Sequence, residues 1–271
     1  MSVSKSRKKV TVPGILAMKS RGEKIVSLTA YDHLMAQSLD EAGIDIILVG
    51  DSAGMVIAGF ESTLPVTMEM MLYHVAAVRR GTKRALLVAD MPFLSYQTGW
   101  QEAVKNAGRF LQESGAEAIK LEGGSALAET ISRLTGLGIP VMGHLGLTPQ
   151  SINKFGSYRL VGIQKGEEKT LLEDARQLEE AGAFCIVLEK VPADLAGEIT
   201  SRIKIPTIGI GAGMNCDGQV LVSHDMLGLF EKFQPKFVRR YAEIAAQMRT
   251  AFKQFSKDVK SGQFPAADES Y

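Results

Sequence analysis

The sequence predicts a single-domain α/β protein of the (β/α)8 TIM-barrel class, with a short helix ahead of the first strand. Short apolar runs alternate with longer helix-periodic segments almost from end to end. The runs are rich in Ile, Leu and Val without strict polar alternation, as parallel strands buried on both faces require. A chain of 271 residues also matches one barrel, for which roughly 250 residues are typical.

The strand candidates are 25–28, 44–49, 85–89, 118–121, 140–142, 185–188, 207–210 and, most weakly, 220–222. Helical patterns lie between them at 33–42, 68–80, 101–114, 126–137, 170–181 and 193–202, with a long final helix at 236–259. Thr67 is placed to cap the second of these. Gly43, Gly81, Gly115, Gly138 and Gly182 each stand just past a helical run, where a left-handed cap is expected. No helix separates the seventh and eighth strands, so that unit is degenerate. Eight units favour closure into a barrel, whereas the seven clear ones would also fit a doubly wound sheet. Residues 11–20 read as the extra helix, at the barrel bottom. The expected organisation is a disordered basic tail over 1–10, a catalytic barrel over 11–260 and a frayed tail over 261–271. Two inter-element stretches, 52–66 and 145–169, are long enough to act as lids.

Charged residues make up 23% of the chain and the net charge is +1. That leaves no field to attract nucleic acid or an anionic membrane, and favours small metabolites as partners. The two cysteines, Cys185 and Cys216, form neither a disulfide framework nor a CxxC zinc site, which suits a reducing, cytoplasmic location.

Chemistry is concentrated where the apolar runs end. Successive runs lead to Asp51, Asp90, Glu122, His144 and Glu189. Each acid alone could cap the following helix. In a barrel, however, these strand ends converge on one mouth. Carboxylates meeting there repel unless protonated or bridged by a cation, and oxygen-only ligands suit a hard ion such as Mg2+. Lys120 lies two residues before Glu122 and so faces the same side of the strand. It reads as a substrate-carboxylate or Schiff-base lysine, or as one half of a structural ion pair. The glycine-rich stretch at 209–213 is read either as a phosphate loop or as a tight turn. His74 reads as structural, and His224, beside Asp225, has no assigned place.

Several stretches together resemble the ketopantoate hydroxymethyltransferase family. They are Thr29-Ala30-Tyr31-Asp32, Val49-Gly50-Asp51-Ser52, Ser62-Thr63-Leu64-Pro65-Val66-Thr67, Ala89-Asp90-Met91-Pro92-Phe93 and Lys120-Leu121-Glu122-Gly123-Gly124. Gly143-His144-Leu145-Gly146-Leu147-Thr148-Pro149-Gln150, Val187-Leu188-Glu189 and Gly209-Ile210-Gly211-Ala212-Gly213 complete the set. The resemblance spans about 12–237. It implies a Mg2+-dependent, cytoplasmic enzyme of pantothenate and coenzyme A biosynthesis. Such an enzyme moves a one-carbon unit from 5,10-methylenetetrahydrofolate to 3-methyl-2-oxobutanoate, giving 2-dehydropantoate by way of a Mg-stabilised enolate. By the same resemblance Asp51, Asp90 and Glu122 are the metal ligands, with one Mg2+ per subunit. Asp51, Ser52, Asp90 and Lys120 contact substrate, Glu189 is the proton acceptor, and His144 supports the site. It also implies a homo-oligomer, with a decamer as one form. The rival readings are a barrel lyase or mutase of the isocitrate lyase and phosphoenolpyruvate mutase type, a Schiff-base aldolase using Lys120, and a barrel that only binds a small acid. No Lys-Lys-Cys-Gly-His-like loop supports the first.

Overall fold

The computed structural model describes residues 8–232 and 234–271. The chain forms two compact units, the first ending at Leu221 and the second running from Val222 to Tyr271.

The first unit opens with helix α1 (Val12–Ser20) and strand β1 (Ile25–Thr29), then α2 (His33–Ala42), β2 (Ile46–Val49) and the short α3 (Ala53–Val56). It continues through α4 (Met68–Gly81), β3 (Leu86–Asp90), α5 (Trp100–Glu113), β4 (Ala118–Glu122), α6 (Ala128–Gly136) and β5 (Val141–Gly146). After β5 come α7 (Ile152–Phe155), α8 (Glu167–Glu180), β6 (Cys185–Glu189), α9 (Ala193–Arg202), β7 (Thr207–Ile210) and β8 (Gly218–Leu221). All neighbouring strands pair in parallel, and β8 returns to β1 to close the barrel. Both long stretches expected as lids carry short helices, α3 in one and α7 in the other.

Side-chain alternation divides the core into two layers. Ile46 and Leu48 of β2, Leu86 and Val88 of β3 and Ala118 of β4 belong to one buried cluster inside the barrel. Their sequence neighbours Ile47, Val49, Leu87, Ala89 and Ile119 belong to the other, shared with helix residues such as Val75 and Phe110. Each fully buried aliphatic side chain of this kind contributes roughly 1.5–3 kcal/mol. Ile15 of α1 joins the interior cluster alongside Ile25 at the start of β1, so α1 closes the N-terminal end of the barrel. Lys19 pins it there through the Thr200 and Ile205 carbonyls and the Asp217 carboxylate (2.9 Å).

Of the tail expected over 1–10, residues 1–7 lie outside the described residues. Lys9 pairs with Glu117 (2.6 Å), and the Val10 amide donates to the Arg84 carbonyl (2.8 Å). The Thr67 hydroxyl caps α4 as expected, accepting from the Met70 amide at 3.2 Å. The short seventh unit is also as expected, with no helix between β7 and β8.

Four of the five expected glycine caps are left-handed, with φ of 87° at Gly43, 75° at Gly115, 83° at Gly138 and 95° at Gly182. Gly81 is not a cap. It is the last helical residue of α4, and a Cβ there would collide with the His33 carbonyl and sit 2.9 Å from Ala36 Cβ. Glycine at 81 therefore lets α4 press against α2.

In the second unit, α10 (Ser223–Met226) precedes α11 (Ile244–Lys260). The final helix thus begins at Ile244 rather than at 236. The amides of Tyr241, Ile244 and Ala245 bond to the carbonyls of Met226, Leu227 and Gly228, which diverts the donors that an earlier helical turn would use. Among the described residues, no helix is long and apolar enough to cross a membrane.

The Gly81→Ala variant is expected to lose about 1–3 kcal/mol through overpacking of the α2–α4 contact. A urea-denaturation midpoint equal to or above that of wild type would contradict this reading of Gly81.

Candidate active site at the barrel mouth

Strand pleating selects the residues that enter the mouth. The interior series of β3 runs Leu86, Val88 and then Asp90, and that of β4 runs Ala118, Lys120, Glu122. By the same alternation Met142 leads to His144 on β5, and Cys185 and Val187 lead to Glu189 on β6. Register brings these side chains level, since Asp90 lies beside Lys120 and Glu122 beside His144 on adjacent strands.

Asp51 arrives differently. Odd-numbered residues of β2 face the helices, so continued pleating would carry Asp51 away from the interior. Instead the strand ends at Val49 and the chain turns, with the Ala53 amide on the Gly50 carbonyl (3.1 Å) and the Gly54 amide on the Asp51 carbonyl (2.9 Å). Glycine is needed within this turn, because a Cβ on Gly50 would stand 2.7 Å from Ser52 Oγ. The Asp51 amide then donates to Asp90 Oδ2 at 3.2 Å. The neighbouring Ser52 hydroxyl is held by Tyr31 Oη at 2.8 Å.

The result is three buried carboxylates, Asp51, Asp90 and Glu122, each offering an oxygen within 4.8 Å of the others. The Lys120 ammonium pairs with Asp90 and stands 3.6 Å from Glu122 Oε1. Burial, followed by the charges of Asp90 and Glu122, holds the Asp51 carboxyl well above the usual range. Burial also raises Asp90, although Lys120 draws it back. Burial pushes Glu122 upward too, but Lys120 and His144 outweigh it and leave that carboxyl below its ordinary value. Burial pulls Lys120 downward, yet Asp90, Glu122 and Asp51 outweigh it and hold the proton more firmly than usual. Were all three acids ionised, one ammonium would not balance them, which is what raises Asp51, and oxygen donors at this spacing could hold a hard divalent cation.

Beside this cluster, His144 bridges two carboxylates, with Nδ1 3.3 Å from Glu122 Oε1 and Nε2 3.4 Å from Glu189 Oε2. Its imidazole is pushed up to about 9, because Glu122 and Glu189 overcome burial and the nearby Lys120 charge. The Glu189 side chain is 15% exposed, against 4% or less for Asp90, Lys120, Glu122 and His144. It is therefore the carboxylate an incoming molecule can reach.

Comparison with known proteins places this arrangement in a family. The family model described as ketopantoate hydroxymethyltransferase matches residues 9–267. The chain is 56% identical over 271 residues, the full length of both proteins, to the 3-methyl-2-oxobutanoate hydroxymethyltransferase of Syntrophus aciditrophicus (strain SB). It is 55% identical over 266 residues to the enzyme of the same name from Chlorobaculum tepidum (strain ATCC 49652 / DSM 12025 / NBRC 103806 / TLS), covering 97% of this chain and 96% of that one. The chain belongs to the ketopantoate hydroxymethyltransferase family. It is a hydroxymethyltransferase enzyme. Among solved structures, phosphonopyruvate hydrolase in complex with oxalate and Mg++ superposes with a TM-score of 0.62 at 13% identity, over 95% of this chain and 92% of that one. The 2,3-dimethylmalate lyase structure reaches 0.61 at 15% identity, over 91% and 87%. These two likenesses concern the barrel fold alone.

In this hydroxymethyltransferase the sequence-predicted residues Asp51, Asp90, Lys120, Glu122, His144 and Glu189 do meet. The pairing of Lys120 argues against Schiff-base chemistry, which needs a neutral amine. Both cysteines are buried, with thiols that burial pushes upward, and neither offers a catalytic thiolate. Within 209–213 a Cβ on Gly209 would lie 3.0 Å from Cys216 Sγ and one on Gly213 2.5 Å from Ala193 Cβ, and Gly211 and Gly213 take φ of 63° and 80°, as a tight turn requires. His224 lies on α10 in the second unit.

Two buried neutral residues escaped the sequence reading. Gln150 donates through Nε2 to Asp51 Oδ2 (2.9 Å) and through its backbone amide to Glu122 Oε2 (3.0 Å). Tyr96 Oη meets the Gln150 amide oxygen at 2.7 Å. Gln150 closes the motif Gly143–Gln150, so its position was marked, but a neutral amide leaves no charge pattern to assign it a role.

In EDTA-treated protein, His144 is expected to titrate near pH 9 by 15N NMR, and lower in Glu189→Gln. Since its folded pKa lies above the ordinary 6.5, its stabilising contribution is complete below that value and fades as pH rises through about 9. A wild-type midpoint close to 6.5 would show that the two carboxylates do not hold the proton.

Proposed function

We propose that this enzyme transfers a hydroxymethyl unit from 5,10-methylenetetrahydrofolate to 3-methyl-2-oxobutanoate, giving 2-dehydropantoate, in pantothenate biosynthesis. One observation carries the reading. A buried carboxylate trio with a paired lysine lies beside a reachable Glu189, in a chain 56% identical to an enzyme named for that oxo acid.

Asp51, Asp90 and Glu122 would hold the divalent cation, Mg2+ by ligand type. Bound there, such a cation supplies Lewis-acid polarisation of the keto oxygen of a 2-oxo acid, worth several kcal/mol. Lys120 presents positive charge to the substrate carboxylate or to the keto oxygen as negative charge develops on it. Ser52, held by Tyr31, offers a hydroxyl at the end of β2. Glu189, on the accessible side, takes the proton from C3 of the oxo acid. His144, standing between Glu189 and Glu122 at ion-pair distance, holds positive charge beside the carboxylate that performs this step. The carbon nucleophile so formed takes up the folate methylene carbon as that carbon's bonds to the two folate nitrogens break, and one water supplies the hydroxyl oxygen. Methylenetetrahydrofolate, oxo acid and water thus give 2-dehydropantoate and tetrahydrofolate.

The decisive experiment follows exchange of the C3 proton in deuterated water with added Mg2+ and no folate. Wild type should exchange, Glu189→Gln should be slower by about 10²–10⁴-fold, and EDTA should abolish the reaction. Equal rates in the two proteins would remove Glu189 from the base role. Turnover that survives full metal removal would overturn the carboxylate trio as a cation site.

A further inference from the structure

Gln150 stands at the start of the stretch after β5, on the buried side of a single 3-10 turn at Pro149–Ser151. Its side-chain amide has a complete set of partners. Nε2 donates to Asp51 Oδ2 (2.9 Å) and to the Met91 carbonyl (2.9 Å). Oε1 faces Tyr96 Oη (2.7 Å) and Gln97 Nε2 (3.2 Å). A flipped amide would set its oxygen against a carboxylate and a carbonyl, so the surrounding chemistry permits only one orientation. Tyr96 is itself held, since its hydroxyl accepts from the Glu122 amide at 3.1 Å, and of the two acceptors for its proton Gln150 Oε1 (2.7 Å) is closer than the Glu122 carbonyl (3.1 Å). Meanwhile the Gln150 backbone amide binds Glu122 Oε2 at 3.0 Å.

One residue therefore grips two of the three acids, each by a named oxygen. It does so as a neutral donor, adding no charge to a site that already repels itself. A lysine in this place would compete with a cation for the carboxylates, and an apolar residue would leave Asp51 Oδ2 buried without a donor. We propose that Gln150 is the positioning residue that aims Asp51 and Glu122 at a shared divalent cation, and that Tyr96 sets the orientation of its amide.

The inference rests on the cation reading of the trio, and its test separates the two. Full-length protein, freed of metal, is titrated with Mn2+ alone, and free Mn2+ is followed by EPR without substrates. Wild type should bind. Gln150→Met, similar in size, loses the side-chain donor to Asp51 while keeping the backbone donor to Glu122, and should bind roughly tenfold to a hundredfold more weakly, the range typical for loss of an outer-sphere ligand partner. Tyr96→Phe keeps the ring, loses the orienting hydroxyl and should weaken Mn2+ in the same direction but less. The double variant should bind as Gln150→Met does, because Tyr96 acts through the amide. A lower melting temperature with an unchanged Mn2+ Kd in Gln150→Met would make the residue merely structural and overturn the proposal. Should that variant not fold, Gln150→Glu and Tyr96→Phe decide it, and unchanged affinity in both overturns it. Wild type that fails to bind Mn2+ overturns the cation reading, and the inference falls with it.

Discussion

Repulsion among Asp51, Asp90 and Glu122 is the constraint around which the mouth of this barrel is organised. At an effective dielectric of about 20, two unit charges within 4.8 Å repel by roughly 3.5 kcal/mol. Three such charges out of water demand compensation, and the protein supplies only part of it. Lys120 contributes one full positive charge, His144 a second shared with Glu189, and Gln150 a neutral donor. The raised Asp51 carboxyl marks what is left over. A divalent ion would relieve that remainder without a proton, which is the physical basis of the proposed cation site.

The fold can bear this strain because the groups stand on rigid elements. Asp90, Lys120, Glu122, His144 and Glu189 all lie within strands of a closed barrel. The apolar interior beneath them is capped at its N-terminal end by α1 through Ile15. Moving any one of these residues to the outer face is opposed by the pleat, since the strand would have to slip by a residue and turn all its side chains over. Asymmetry within the site follows from the same geometry. Glu189 ends β6 with a partly accessible carboxylate, whereas the acids of the trio are buried. The first suits a base that meets a substrate proton, and the second suits ligands that stay in place.

Some corrections to the sequence-derived picture share a cause. Gly81 was expected as a helix cap from its place after an amphipathic run, but its lack of a side chain serves contact between α4 and α2. The last helix was expected from 236, but its first turns are replaced by bonds to the carbonyls of Met226, Leu227 and Gly228. Periodicity reports which residues are compatible with a helix. It does not register a competing backbone partner some fifteen residues away.

The amino-acid sequence by itself determined the barrel class, the order of its strands and most of the residues at its mouth. Alternating apolar runs and the chemistry of their last residues are local properties, and Asp90, Glu122, His144 and Glu189 could be named from them. Tertiary structure alone decided how Asp51 enters, since the pleat of β2 points it outward and the turn through Gly50 brings it back. It alone decided that Lys120 is paired with Asp90, and that Gln150 and Tyr96 stand beside the trio. Those outcomes depend on distances between residues remote in the chain. Neutral hydrogen-bonding groups acquire direction only once their partners stand around them.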